Sequence, residues 1–109
     1  MEELEASETA FGIEQSSDPG GDPMVVLSGE LDISSAETLR VAVEEIVATG
    51  PTHLVFDLSR LTFMDSSGIA VMVYAANNVA KVELLHPSSI VRRVVEATGL
   101  AEILQMGPS

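Results

Sequence analysis

Asp65-Ser66-Ser67-Gly68 brings two hydroxyls, a carboxylate and a residue without a side chain together, immediately before a long apolar run. Asp and Ser are residues that start helices, because their oxygens accept from backbone amides that have no partner inside the helix. A serine at that point also lies near the positive end of the helix dipole. A phosphate attached there would be held by the same amides and would leave the helix folded. It would add about −1.5 to −2 charges beside Asp65. The plainer role for Ser66 or Ser67 is to cap the helix. A second acidic turn, Gly29-Glu30-Leu31-Asp32-Ile33-Ser34, leads into an earlier helix and reads alone as a turn plus a cap.

Catalytic alternatives are poorly supplied. Ser66 with His53 or His86 and an acid has the components of a hydrolase triad, but Asp-Ser-Ser-Gly is not the strained Gly-x-Ser-x-Gly elbow. Cysteine is absent, which excludes disulfides, thiolate zinc sites and a thiol nucleophile. Two histidines do not make a rich metal cluster, and no GxxxxGK[ST] loop occurs. We therefore expect no catalytic residue, no metal and no cofactor. Seventeen acids against five bases give a formal charge of −12 over 109 residues. That field repels nucleic acid and anionic membranes and favours proteins with basic docking surfaces. No apolar run reaches membrane-spanning length, and Met1-Glu2-Glu3-Leu4-Glu5 is the opposite of a basic signal-peptide start, so a cytoplasmic chain is expected.

The elements that position these residues follow from periodicity. Residues 1–8 read as an acidic flexible tail, 9–105 as one domain and 106–109 as a short C-terminal tail. Thr9–Glu14 and Met24–Ser28 are strands joined by the Pro/Gly-rich segment Ser16–Pro23. Leu39, Ala42, Val43, Ile46 and Val47 form one helical stripe, with Arg40 within reach of Glu44. Ser34-Ser35-Ala36-Glu37 matches a capping box, and Gly50-Pro51 ends the helix. Thr52–Leu58 is nearly continuously apolar, the pattern of a strand covered on both faces, and Ser59-Arg60 reads as a turn. Ile69–Ala76 is apolar all round, a pattern that fits buried helix or buried strand. The Asp65-Ser66-Ser67 start and the Asn77-Asn78 stop decide for a helix of about three turns. Val79–His86 is a strand. The last helix turns Ile90, Val91, Val94 and Val95 inward, and Gly99 closes it. Leu100–Leu104 is a further short turn.

Ser28-Gly29-Glu30-Leu31-Asp32, Leu54-Val55-Phe56-Asp57-Leu58, Phe63-Met64-Asp65-Ser66-Ser67-Gly68-Ile69 and Pro87-Ser88-Ser89-Ile90-Val91-Arg92-Arg93-Val94 together resemble the STAS domain. Within it they are most similar to the bacterial anti-sigma-factor antagonists. The resemblance spans about Thr9 to Leu104 and implies an α/β fold, a mixed β-sheet of about four to five strands covered by α-helices. It further implies a partner switch that regulates transcription. The unphosphorylated antagonist binds an anti-sigma factor that is also a serine kinase, and the sigma factor is released. The kinase then phosphorylates the first serine of the motif, here Ser66, binding is lost, and a PPM-type serine phosphatase restores it. By the same resemblance Asp32, Asp65, Ser66, Ser67 and Gly68 form the partner-binding surface, with Gly68 admitting a partner's backbone. STAS modules also serve as unphosphorylated scaffolds or subunits in stress-sensing and transporter assemblies, which is the alternative. One departure stands out: only eighteen residues separate Gly68 from Pro87, where the family has a longer second helix and a Gly-Gly turn.

Overall fold

The computed structural model describes residues 10–107, so the expected acidic tail lies outside the described residues. The strands are β1 (Gly12–Ser17), β2 (Pro23–Leu31), β3 (His53–Met64), β4 (Lys81–Leu85) and β5 (Leu104–Met106). The helices are α1 (Ile33–Val47), α2 (Ser66–Asn78) and α3 (Ser89–Ala97), and a 3-10 turn covers Leu100–Glu102. The sheet runs β1-β2-β3-β4-β5, with β1 antiparallel to β2 and the other pairs parallel. It is the mixed α/β sheet expected from the sequence, at the upper strand count.

Burial alternates along the strands. Val25, Leu27 and Leu31 of β2, Leu54, Phe56 and Leu58 of β3, Val82 and Leu84 of β4 and Leu104 of β5 are all buried. They form one face of the sheet, and the helices that connect β2 to β3, β3 to β4 and β4 to β5 add their buried side chains to the same core. The opposite face keeps His53, Asp57, Glu83 and Leu85 only half-buried, although Val55 among them is closed off. The apolar run over 52–58 is therefore covered by helices on one side rather than two. Leu39, Val43 and Ile46 of α1, Val71, Met72 and Ala75 of α2 and Val91 and Val95 of α3 complete the core.

β3 does not turn at Ser59-Arg60. Against β2 its register advances by an extra residue between Asp57 and Arg60, and again between Leu61 and Phe63. These two bulges convert the inward spacing from two to three, so Leu58, Leu61 and Met64 all stay buried. The loss of alternation imitates a turn in the sequence, while the strand actually continues to Met64.

Several other expectations shift. β1 begins later than Thr9 and extends to Ser17. α1 is capped by Asp32, whose carboxylate accepts from Ser34 N–H (3.0 Å), while Ser35 Oγ accepts from Asp32 N–H (3.0 Å). The reciprocal box is thus Asp32 with Ser35, not Ser34 with Glu37. Arg40 turns to Glu37 (3.8 Å) and to the ring of Tyr74 (5.9 Å) rather than to Glu44. Ile90 points outward at 55% exposure, because Val91 and Val95 alone define the buried stripe of α3. β5 was not legible as a strand: three residues are too few to show a period. Gly107 N–H donates to Leu84 O (2.8 Å) and Arg92 Nη2 donates to Gly107 O (2.6 Å). Those bonds hold the segment after β5 against β4 and α3. The short segment after Gly68 is accommodated as a thirteen-residue α2, closed by Val79 N–H donating to Ala75 O (2.9 Å).

Gly29 is the tightest backbone approach. Its φ is +82°, and a Cβ there would run into the carbonyl of Ala10. Left-handed strain and overpacking together predict that Gly29→Ala destabilises the domain by about 2–4 kcal/mol. A lowered denaturant midpoint with an unchanged slope would verify this.

Candidate functional site

β2 and β3 end side by side. Leu31 pairs with Met64, and Asp65 N–H donates to Leu31 O at 3.1 Å. Each strand passes directly into a helix through an aspartate in extended conformation: Asp32 at φ −132°, ψ −168°, and Asp65 at φ −112°, ψ −168°. Neighbouring strands lie about 4.8 Å apart, so the two helix starts are adjacent on one edge of the domain. The chain uses one local device twice, strand-Asp-x-Ser, in Leu31-Asp32-Ile33-Ser34 and Met64-Asp65-Ser66-Ser67.

Asp65 Oδ1 accepts from Ser67 N–H (2.8 Å), and its carbonyl accepts from Gly68 N–H (3.1 Å) and Ile69 N–H (3.2 Å). Asp65 is therefore the cap, and neither serine is needed for that job. Ser66 is the first residue of α2 and is exposed, and its hydroxyl makes no hydrogen bond among the described residues. Ser67 is half-buried behind it. Gly68 is buried, and a Cβ on it would come within 2.6 Å of Leu31 Cδ2 and 2.8 Å of Met64 Cγ. Its missing side chain lets α2 close onto the two strand ends. The inner packing of the domain already uses the space expected to admit a partner's backbone.

Asp32 sits in the same frame. Its Oδ1 accepts from Ser34 Oγ (2.7 Å), Ser34 N–H (3.0 Å) and Ser35 Oγ (3.3 Å). Those bonds, led by the one from the Ser34 hydroxyl, hold the carboxyl below its ordinary value of 3.8, and together they outweigh the opposing effect of desolvation. Two apolar side chains that the motif reading missed flank the edge: Ile33 is 81% exposed and Phe63 41%. Ile33 holds the position in α1 that Ser66 holds in α2. In the sequence Ile33 reads as an ordinary helix residue, and only its place beside Asp32 could have marked it.

The hydrolase arrangement does not form. His53 opens β3 and Ser66 follows its far end, roughly 35 Å away at about 3.3 Å per residue. His86 is exposed and has no hydrogen bond to either serine. Among the described residues no pocket adjoins Ser66. The edge is suited to contact with a macromolecule, through acids, the exposed hydroxyl of Ser66 and two apolar side chains.

Because folding lowers the Asp32 pKa, its cap is fully effective above the ordinary value and is lost as pH falls through the folded one. Asp32→Ala is expected to lower the denaturation midpoint at pH 7. The gap to the wild type should close as the pH drops below 3.8 in acid-titrated melts.

Residues 15–109 match the family model described as STAS domain. The anti-sigma-F factor antagonist RsfB of Mycobacterium tuberculosis is 29% identical over 92 residues, covering 82% of this chain and 75% of its own. An anti-sigma factor antagonist from Mycobacterium paratuberculosis superposes with a TM-score of 0.83 at 26% identity, over 93% of this chain and 88% of its own. The unphosphorylated form of SpoIIAA superposes at 0.73 with 28% identity, over 92% and 90% of the two chains. The phosphorylated form of SpoIIAA, a Bacillus cell fate determinant, superposes at 0.66 with 27% identity, over 92% and 93%. With its sheet, its paired helix starts and these likenesses together, the chain belongs to the STAS domain family and groups there with the anti-sigma factor antagonists.

Proposed function

We propose that this protein is an anti-sigma factor antagonist whose docking edge is switched by phosphorylation of Ser66. Unmodified, the edge formed by Asp32, Asp65, Ser66 and Ser67 binds an anti-sigma factor that is also a serine kinase, and the sigma factor is released. The kinase transfers the γ-phosphoryl group of ATP to Ser66 Oγ, with loss of the hydroxyl proton and departure of ADP, and the complex separates. A PPM-type serine phosphatase returns the free hydroxyl. Gly68 contributes from behind, by seating α2. The observation that carries this reading is the exposed, unbonded hydroxyl of Ser66 at the first position of α2.

A phosphate there adds charge within a side chain's length of Asp65 in a molecule of net charge −12. It also occupies the space between the two aspartate caps that a partner must approach. Since Asp65 already caps the helix, the added group leaves α2 intact and changes affinity alone. Ile33 and Phe63 supply the apolar area that acids cannot, and a partner with an apolar pocket rimmed by lysine or arginine complements both.

Phosphorylation is expected to weaken the complex about a hundredfold, equivalent to about 2.7 kcal/mol. Ser66→Ala should bind the kinase and resist labelling by ATP, whereas Ser66→Asp should bind poorly in the same titration. Equal affinity of Ser66→Asp and wild type would favour the unphosphorylated scaffold instead. Ile33→Ala should lower affinity at least several-fold while leaving the thermal midpoint unchanged, because at 81% exposure the side chain contributes little to the core.

A further inference from the structure

At the opposite end of β3 from Ser66, the β1–β2 turn folds back on the sheet. Asp18 N–H donates to Asp22 O (2.9 Å), Gly21 N–H to Asp18 O (2.9 Å) and Asp22 N–H to Asp18 Oδ1 (2.9 Å). The turn thereby presents two carboxylates toward His53, whose side chain is only 19% exposed. His53 Nδ1 lies 2.8 Å from Asp22 Oδ2, and Nε2 lies 3.2 Å from Glu83 Oε1 on β4. One ligand atom from each of Asp18, Asp22 and His53 falls within 4.8 Å of the others.

A neutral imidazole has one N–H, so it can donate to Asp22 or to Glu83 but not to both. The other nitrogen would then turn its lone pair onto a carboxylate oxygen. A cation placed beside Nδ1 would meet that nitrogen together with one carboxylate oxygen each from Asp18 and Asp22. Nε2–H, meanwhile, has the carboxylate partner that orients metal-binding histidines.

We propose that Asp18, Asp22 and His53 Nδ1 form a site for a divalent transition-metal ion of the zinc class, with Glu83 positioning the imidazole. One nitrogen with carboxylate oxygens suits zinc better than calcium or magnesium, which take all-oxygen shells. Donors around one zinc stand roughly 3–3.5 Å apart, so the three groups, now within 4.8 Å, would draw together on binding by rotation of the Asp18 and Asp22 side chains. Glu83 and Lys81 are the charged groups that β4 sets beside His53, and Lys81 is exposed, leaving the solvent side open to water ligands. A bound ion would tie the hairpin turn to the central strand, far from the docking edge.

The test is calorimetric titration of zinc chloride into the metal-stripped full-length chain, together with ¹⁵N spectra of the His53 ring. Binding with 1:1 stoichiometry is expected, with His53→Gln and Asp18→Asn weakening it at least tenfold. Glu83→Gln should weaken it about 10–100-fold by releasing the ring, and His86→Gln should leave it unchanged. Zinc should shift the Nδ1 resonance of the folded wild type, a readout that does not depend on any variant folding. Three results would overturn the site: no saturable binding up to millimolar zinc, equal binding by His53→Gln, or both ring nitrogens still protonated in excess zinc. The last would mean that a proton fills the position.

Discussion

The bond from Asp65 N–H to Leu31 O, at the close of the parallel β2–β3 pairing, fixes where two helices begin relative to one another. Everything at the docking edge inherits its position from that junction. The two bulges in β3 let a strand with two additional residues end level with β2. Gly68 then allows α2 to settle against Leu31 and Met64 instead of being propped away from them. Rigid strand ends, rather than a mobile loop, therefore hold the aspartates in place.

Adjacent residues at the start of α2 divide the work of folding unequally. Asp65 satisfies the first amides of α2, Gly68 and Ile69 insert into the core, and Ser66 is left with no internal task. Such separation matters in a domain of this size, whose net stability is only about 5–15 kcal/mol. A modification that also broke a cap would cost a noticeable part of that. The same logic holds at Asp32, where the reciprocal bonds with Ser34 and Ser35 fix the carboxylate before any partner arrives.

Much of this was legible in the sequence because the deciding features are local. The helix stripe from Leu39 to Val47, the Asp-Ser-Ser-Gly start and the order of elements all rest on spacing within one or two turns. What escaped is long-range. The continuation of β3 through Ser59 and Arg60 depends on its register with β2, and β5 exists only because β4 offers it an edge. The capping box was displaced by two residues because Ser-x-x-Glu and Asp-x-x-Ser both satisfy the local rule, and the strand ending at Leu31 decides between them. The seating of Gly68 against Leu31, and the neighbourhood of Asp22, His53 and Glu83, needed three dimensions: these partners come from segments 30 or more residues away.

The repeated strand-Asp-x-Ser unit has a further consequence for how such domains diversify. The outward position after each aspartate bears no load in the scaffold, so its occupant can be exchanged at almost no thermodynamic penalty. Under the proposed switch, an isoleucine there gives permanent adhesion and a serine gives adhesion that a covalent mark revokes. On that reading one scaffold carries a constant contact and an adjustable one on twin mounts, and new specificities arise by reassigning which mount is which.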